Sequence, residues 1–209
     1  ELNFFFFQEK IFQKVTSTTI KVSNVETAET IKLVDNTYRD LIFAYSNEIA
    51  MIADKVGANV KEVVSSGKKD YPRTNVPIPG LVGGPCLSKD SYILNESLKK
   101  FKIKSKIVMS ARKTNEFQPT YVSKFLEKVS KKLKWPKNIK IALLGLAFKG
   151  VPETSDLRGS MSIKVIENIL KVFPKAILYG YDRLLTKKEV QNLSIKYSPS
   201  ISNAMKEAH

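Results

Sequence analysis

Cys86 is the only cysteine of the chain, and it lies within residues 79–90, which are rich in glycine and proline. Glycine lets a backbone approach a ligand closely, and a thiolate is a strong nucleophile. The pattern predicts that Cys86 lies at the start of a helix, where the helix dipole and the charge of Lys89 favour the thiolate. Asp90, one turn further, could orient a water molecule or accept a proton. The segment therefore indicates covalent thiol chemistry or, alternatively, an inert cysteine buried in a turn.

Lys32 and Asn36 form a second candidate group on a predicted helix. Their spacing of four residues places an ammonium and a carboxamide on one helical face, away from the apolar stripe. Such a pair could bind a sugar hydroxyl or stabilise the oxyanion of a tetrahedral intermediate. A solvated helix face has the same appearance, so the pair by itself leaves both interpretations open.

A third candidate group follows a predicted strand. Residues 145–160 form a long loop that contains Lys149 and Arg158. The carboxyl end of a parallel strand is a common place for a bound phosphate. The loop contains neither the G-x-G-x-x-G pattern of dinucleotide sites nor a Walker sequence. The loop therefore predicts a site for an anion such as phosphate, but its glycine pattern does not indicate which ligand carries that group.

The elements that must position these residues change in character near residues 135–138. Before this point, apolar residues at steps of three and four predict one helix of about 30 residues that ends at Gly57. Ser23 and Glu26 suggest a capping box at its start. Shorter helices are predicted at 59–67, 90–101, 105–116 and 119–134.

After residue 138, strands and helices alternate. Strands are predicted at 139–144, 176–179 and 195–197, with helices at 161–172, 187–193 and 201–207. Short connections between alternating elements indicate a parallel sheet of the doubly wound type. Residues 4–15 and 18–22 suggest a further helix and strand. The predicted fold class is therefore α/β: a mainly helical region with one long helix, followed by a partial Rossmann-like parallel-sheet domain.

Composition excludes several classes of protein. The chain has 209 residues, of which 43% are hydrophobic and 26% charged, and this excludes a disordered or collagen-like protein. One cysteine allows no internal disulfide, and the only histidine is the last residue, so neither a metal site nor a Ser-His-Asp hydrolase is expected. No stretch is apolar enough to span a bilayer and no signal peptide is visible, so a reduced, cytoplasmic protein is predicted.

The net charge of +15 comes from 35 basic and 20 acidic residues. A lysine-rich surface suits nucleic acid, small anionic ligands or simple solubility. The sequence contains no recognisable DNA-binding or RNA-binding motif and little arginine. Nucleic acid is therefore not the expected partner.

Taken in order, the motifs resemble those of the nucleotide-sugar dehydrogenases, the family of UDP-glucose, GDP-mannose and UDP-N-acetylmannosamine dehydrogenases. The resemblance extends from about residue 18 to the end and is greatest to archaeal UDP-N-acetylmannosamine or UDP-glucose enzymes. Its segments are Thr-Ala-Glu at 27–29 with Lys32 and Asn36, Ser-Asn-Glu at 46–48, Gly-Gly-Pro-Cys-Leu-Ser-Lys-Asp at 83–90, Ala-Arg-Lys-Thr-Asn at 111–115, Gly-Leu-Ala-Phe-Lys at 145–149 and Asp-Leu-Arg-Gly-Ser at 156–160.

The resemblance implies a two-step, four-electron oxidation of the C6 alcohol of a UDP-sugar to a carboxylate, with two NAD⁺ as acceptors. By position, Cys86 is implied to capture the aldehyde as a thiohemiacetal and to hold the later thioester. Asp90 is implied to position or activate the hydrolytic water, while Lys32 and Asn36 bind the sugar and stabilise the oxyanion. A tethered aldehyde cannot escape between the two oxidations.

Further binding roles follow from the same resemblance. Lys89 and Arg158 are implied to lie beside NAD, with Arg158 at its pyrophosphate. The resemblance implies three contacts with the substrate. Arg73 would reach the sugar nucleotide across the dimer, the backbone of residues 77–83 would line it, and Phe148 and Lys149 would hold its UDP end. The residues implied to bind it are Arg73, Pro77, Gly80, Gly83, Phe148 and Lys149.

The resemblance also implies a domain organisation. Residues 1–22 would be the last αβ unit of an NAD-binding domain that the sequence otherwise lacks. Residues 23–135 would be the central dimerisation domain with the catalytic cysteine, and residues 136–209 a truncated UDP-binding domain. A homodimer through the long helix is expected, and this chain alone is not expected to complete hydride transfer. The alternative is a non-catalytic dimerising or UDP-sugar-binding module.

Overall fold

The computed structural model describes residues 9–71, 73–206 and 208–209. The chain divides into two compact units, residues 1–35 and 36–209. The described part contains seven α-helices of five or more residues and one three-stranded sheet. No helix in this part is long and apolar enough to cross a membrane.

The first unit differs from its prediction in two places. A helix was predicted at residues 4–15. Residues 9–12 are helical and residues 13–15 form a turn, while residues 4–8 lie outside the described residues. Residues 18–22 form no strand, which corrects the prediction for this segment. The reason is that a strand needs a neighbouring strand for its backbone hydrogen bonds, and the sheet of the described chain pairs only residues beyond 139.

Helix α1, Val25–Val56, has 32 residues and confirms the predicted long helix. Its start is not the suggested capping box of Ser23 and Glu26. Instead Asn24 Oδ1 accepts a hydrogen bond from the backbone N–H of Thr27 at 2.8 Å, because Asn24 directly precedes the first helical residue. The helix ends at Gly57, whose φ of 77° is a left-handed conformation that glycine adopts without strain.

Three further helices complete the helical part. Helix α2, Val60–Lys68, is capped by Asn59, whose Oδ1 accepts from Lys61 N at 3.1 Å. It continues one residue beyond Gly67, which was expected to end it. Helix α3, Asp90–Ser97, is followed by a short 3₁₀ turn, Lys99–Phe101.

Helix α4, Lys106–Leu133, is one continuous helix, whereas two helices separated near residues 117–118 were predicted. Pro119 lies inside it and is fully buried. Proline removes one helical hydrogen bond but its φ is compatible with a helix. Burial of the ring within the packed unit offsets that loss, so the proline interrupts the hydrogen-bond ladder without ending the helix.

The sheet of the second unit confirms the predicted α/β class. Strands β1 (Lys140–Leu144), β2 (Ile177–Tyr181) and β3 (Lys196–Tyr197) run parallel in the order β1-β2-β3. Three helices connect or follow them: α5 (Met161–Val172), α6 (Lys187–Gln191) and α7 (Ile201–Lys206). All three strands and all three helices were predicted to within a few residues.

The sheet and its helices enclose an apolar core, and α4 also packs against this core. Leu146, Ile169 and Val190 are at most 1% exposed at its centre. Val122 and Leu126 of α4 pack against the same core. Helix α4 therefore fixes the sheet to the helical part of the second unit, and the loop after β1 is held close to the cysteine segment.

Candidate active site

Cys86 lies in a turn that precedes α3, and its side chain is exposed. Its carbonyl oxygen accepts hydrogen bonds from the backbone N–H groups of Asp90 at 3.0 Å and Lys89 at 3.1 Å. Cys86 was predicted to lie at the start of the helix, but it lies about one turn before it. Lys89 has a φ of −125°, which is not helical, so α3 cannot extend back to the cysteine.

The carboxylate of Asp90 is buried beside this turn and is held by two donors. Asn36 Nδ2 donates to Asp90 Oδ2 at 2.5 Å, and both residues are less than 5% exposed. Lys89 Nζ lies 3.0 Å from Asp90 Oδ1, and this hydrogen bond raises the pKa of Lys89. The structure thus brings together Asn36 and Asp90, although they are 54 residues apart in sequence. Lys32 belongs to the first compact unit and is exposed.

A cavity of about 450 Å³ contains the thiol. One wall is the segment 81–87 and another is residues 148–151 of the loop after β1, so the structure brings together four of the candidate residues, Gly83, Cys86, Phe148 and Lys149. Arg39 and Phe43 of α1 also line it. None of the described residues that line the cavity is acidic, so it has a positive charge from one arginine and one lysine.

Two glycines permit the close approach of the cysteine segment to the loop after β1. Gly84 has a φ of 91°, and a Cβ atom there would lie 2.6 Å from the Phe148 ring. Its backbone N–H donates to Gly159 O at 2.8 Å. A Cβ atom on Gly83 would lie 2.5 Å from the same carbonyl oxygen. Side chains at either position would separate the thiol from Phe148 and Lys149.

Asp182, which follows β2, holds the beginning of the loop that contains Phe148 and Lys149. Its Oδ2 accepts from the backbone N–H groups of Leu146 at 2.8 Å and Ala147 at 3.0 Å, and its Oδ1 accepts from Leu184 at 2.9 Å. Burial alone would raise the pKa of Asp182, but these backbone donors more than offset it, and the pKa is lowered. The charged carboxylate therefore stabilises the loop.

We expect Asp182→Asn to lower the free energy of unfolding by about 1 to 2 kcal/mol at neutral pH, since several hydrogen bonds lose their charge. The pKa is lower in the folded protein, so this contribution is complete above the unfolded pKa of about 3.9 and is lost as the pH falls through the folded value. Urea denaturation at pH 7, 5 and 3 measures it, with Glu167→Gln on the exposed side of α5 as the control. A difference between Asp182→Asn and wild type that is as large at pH 3 as at pH 7 would contradict this assignment.

The remaining residues that were assigned to substrate or cofactor lie outside the cavity lining. Pro77 and Gly80 are bound to α1: Pro77 O accepts from Ser46 Oγ at 2.5 Å, and Gly80 exchanges two hydrogen bonds with Asn47, each of 2.9 Å. Arg73 is exposed.

The side chain of Arg158 is 82% exposed, and its Nη2 lies 2.7 Å from Asp156 Oδ2. The hydrogen bonds from Arg158 lower the pKa of Asp156. The guanidinium is therefore already paired with a neighbouring carboxylate and does not line the cavity of Cys86.

A buried residue, Arg112, holds both ends of the cysteine segment, and sequence reasoning gave it no role. Its Nη1 donates to Leu87 O at 2.7 Å and its Nη2 donates to Val82 O at 3.1 Å, so it spans the stretch that contains Cys86. The guanidinium is 1% exposed and lies 3.0 Å from Asp40 Oδ1. The only signal in the sequence was the position of Arg112 inside the Ala-Arg-Lys-Thr-Asn motif.

Polar side chains around Arg112 extend the network. Asn115 Nδ2 donates to Asp40 Oδ1 and to the Asp40 carbonyl, each at 2.8 Å, and Ser91 Oγ donates to Asp40 Oδ2 at 3.1 Å. Asn47 Nδ2 donates to Asn115 Oδ1 at 2.9 Å. Burial raises the pKa of Asp40, and the charge of Arg112 opposes that shift. The network connects α1, α3 and α4 to the segment that carries the thiol.

Comparisons with known proteins identify a family for this chain. Residues 26–117 match the central domain of the UDP-glucose/GDP-mannose dehydrogenase family. The matched region runs from the start of α1 into α4 and includes Asn36, Cys86, Asp90 and Arg112. The chain therefore contains the central domain of the UDP-glucose/GDP-mannose dehydrogenase family, and the resemblance seen in its motifs is confirmed.

Individual relatives are consistent with the family match. The UDP-N-acetyl-D-mannosamine dehydrogenase of Pyrococcus horikoshii is 37% identical over 163 residues, which are 77% of this chain and 38% of that protein. The protein of the same name from Methanocaldococcus jannaschii is 35% identical over 78% of this chain and 36% of its own length. A solved structure of UDP-D-ManNAc dehydrogenase from Pyrococcus horikoshii superposes with a TM-score of 0.74 at 34% identity, and covers 85% of this chain and 43% of that one. The chain thus spans somewhat more than a third of the curated relatives it matches.

Proposed function

We propose that this chain is the thiol-bearing and UDP-sugar-binding part of an NAD-dependent UDP-sugar 6-dehydrogenase, which oxidises UDP-N-acetylmannosamine or UDP-glucose to the uronate. The observation that carries the proposal is the cavity that places the exposed Cys86 together with Phe148 and Lys149. The family match and the names of the relatives support the same reaction class.

Binding of the substrate follows from the charge of the cavity. Lys149 Nζ lies 5.3 Å from the centroid of the Phe148 ring and has no carboxylate partner among the described residues. An ammonium of this kind suits the diphosphate of a UDP-sugar. With the diphosphate at Lys149, the sugar extends towards the segment that contains Cys86.

Cys86 would then act on the C6 aldehyde that the first oxidation produces. The sulfur forms a bond to C6 and the carbonyl oxygen takes up a proton, which gives a thiohemiacetal. Loss of a hydride from C6 and of the hydroxyl proton would convert it to a thioester, and NAD, when bound, would supply the acceptor for the hydride. Water then adds to C6, the C–S bond breaks, and the uronate and the free thiol are released.

Asp90 would position the water for the last step. Its carboxylate lies one turn from Cys86 and is held by Asn36 and Lys89, so it cannot rotate away. An oxygen that keeps an unused lone pair can accept a hydrogen bond from water and direct the attack on the thioester. The assignment gives a role to a buried carboxylate that follows an exposed thiol by four residues.

The described residues provide only part of a binding site for NAD. Lys89 and Arg158 are exposed and could contact its pyrophosphate, but each is already paired with an aspartate. The loop after β1 is long, and Ser160 caps α5 with its own side chain, so the compact glycine turn of a dinucleotide cradle does not form there. We therefore propose that these 209 residues alone do not reduce NAD⁺ with a UDP-sugar.

Thermal unfolding with ligands tests the proposal. UDP, UDP-glucose and UDP-N-acetylmannosamine at millimolar concentration are expected to raise the midpoint, and a ligand at 100 times its Kd adds about 2.7 kcal/mol. Lys149→Met should weaken all three effects, while Lys61→Met on the exposed side of α2 should leave them unchanged. A wild-type chain that no UDP ligand stabilises would refute the proposed function.

We also propose that α1 forms a homodimer. Tyr38, Tyr45 and Ile52 follow one another at intervals of seven residues, which places them on one face of the helix, and they are 60%, 55% and 50% exposed. An apolar face of this length is unusual on a monomer and suits the same face of a second copy.

Tyr45→Asp should convert the dimer to a monomer, because two carboxylates would be buried in the interface without partners. Light scattering after gel filtration should give 23.6 kDa for this variant and twice that mass for the wild type. Ile107→Asp is the matched control, since Ile107 is 70% exposed on α4 rather than on α1. A monomeric wild-type chain would exclude this interface.

A further inference from the structure

Arg39 is the one cation of the thiol cavity that the resemblance left without a role. It lines the cavity together with Cys86 and Lys149. It lies on α1 three residues after Asn36, whose amide holds Asp90, so it belongs to the same helical turn that supports the site. Its side chain makes no hydrogen bond or ion pair within the described part of the chain, whereas Arg112, Arg158 and Arg183 each pair with a carboxylate.

The charge of the cavity is therefore not balanced by the protein. Arg39 and Lys149 each bring a positive charge from a different element, and no acidic residue lines the cavity among those described. Two unpaired cations in one cavity suit a ligand with two anionic groups. In a UDP-sugar both negative charges lie on the adjacent phosphates, whereas a UDP-uronate also has a carboxylate at C6, at the other end of the ligand.

The two cations differ in the geometry with which they bind an anion. Lysine is a compact point charge, which matches a diphosphate that rotates freely about its bonds. The planar guanidinium of arginine pairs with a carboxylate, as it also does with a phosphate, through two parallel hydrogen bonds. The carboxylate of the product forms at the carbon atom that Cys86 attacks, and Arg39 shares the cavity with that thiol.

We propose that Arg39 binds the C6 carboxylate of the UDP-uronate product, so that the chain binds the product more tightly than the substrate alcohol. The inference rests on the proposed function, because it takes the ligand to be a UDP-sugar with C6 near Cys86. It adds a residue that distinguishes an acid from an alcohol at that carbon. A consequence is that the product competes with the substrate for the site.

Equilibrium binding of matched acid and alcohol pairs tests the proposal. The ligands are UDP-glucose with UDP-glucuronate, UDP-N-acetylmannosamine with its uronate, and UDP alone, titrated into the 209-residue chain. For the wild type, the acid of the preferred pair should bind about 10-fold more tightly than its alcohol, as expected for a charge-assisted hydrogen bond.

Variants separate the contributions of the two cations. Arg39→Met should abolish the preference for the acid and leave the affinities for the alcohol and for UDP unchanged, while Arg39→Lys should retain part of the preference. Lys149→Met should weaken the binding of the acid, the alcohol and UDP by a similar factor. Arg183→Met is the matched control, because Arg183 is exposed, pairs with Glu153 and does not line the cavity.

Each remaining outcome contradicts the proposal in a recognisable way. If Arg39→Met weakens the binding of UDP as much as the binding of the acid, the arginine binds the diphosphate rather than the carboxylate. If it changes no affinity, Arg39 is solvated surface. If the wild-type chain binds neither acid, alcohol nor UDP, the proposed function itself fails and the inference with it.

Discussion

Arg112→Met should lower the free energy of unfolding by about 3 to 5 kcal/mol, the usual effect of breaking a buried ion pair from one side. The variant would leave the carboxylate of Asp40 buried without its cation, and the carbonyls of Leu87 and Val82 without their donors. Urea denaturation followed by circular dichroism measures the loss. Lys113→Met is the matched control, since Lys113 is the next residue of α4 and is exposed.

The pH dependence of this variant identifies the cause. Without Arg112, burial raises the pKa of Asp40 further, so the folded variant binds a proton more readily than the unfolded chain does. The stability deficit should therefore be smaller near pH 4 than at pH 7 and should grow as the pH rises through the folded pKa.

A double variant distinguishes the loss of the ion pair from a general loss of stability. Asp40→Asn combined with Arg112→Met removes both charges, so it should be less destabilised than the sum of the two single variants. Additive effects of the two substitutions would show that the ion pair does not couple them, and a deficit of Arg112→Met below about 1 kcal/mol would show that the pair is not important for stability.

Cys86→Ala should abolish the preference of the cavity for an aldehyde over an alcohol. The proposed nucleophile should add to a UDP-hexodialdose at C6, and a covalent bond formed within a bound complex should increase the affinity by at least about 100-fold. The variant retains Phe148 and Lys149, so its affinity for the parent alcohol should not change. Titration calorimetry with the aldehyde and the alcohol measures both values.

The alcohol serves as the internal control for that experiment. A variant that loses affinity for both ligands has lost the shape of the cavity rather than the nucleophile. A variant that still prefers the aldehyde as strongly as the wild type does would show that Cys86 is not the residue that captures it.

The secondary structure was largely predictable because its signals are local. The spacing of apolar residues predicted α1 and α5, and Asn59 predicted the start of α2. Alternating strands and helices predicted the parallel sheet. Two predictions failed because they depend on the tertiary structure. Residues 18–22 have no partner strand among the described residues, and Pro119 lies buried inside α4. Neither effect is visible in a local pattern.

The sequence suggested the candidate residues of the site but not the residues that support them. Cys86, Asp90 and Lys149 were recognisable from residue type and motif. The role of Arg112 was not, because its acceptors lie 25 and 30 residues away in the chain. The same holds for Arg39, an ordinary arginine on a helix until the loop after β1 closes a cavity around it.

By itself, then, the sequence determined the helices and strands, the family and the thiol, since short-range periodicity, capping and motif order specify them. Only the tertiary structure decided that the thiol shares a cavity with Phe148, Lys149 and Arg39, and that a buried arginine holds its segment in place. The physical reason is that side chains far apart in sequence meet only when whole elements pack. The core beneath α4 and the contact of Gly84 with the Phe148 loop select that packing.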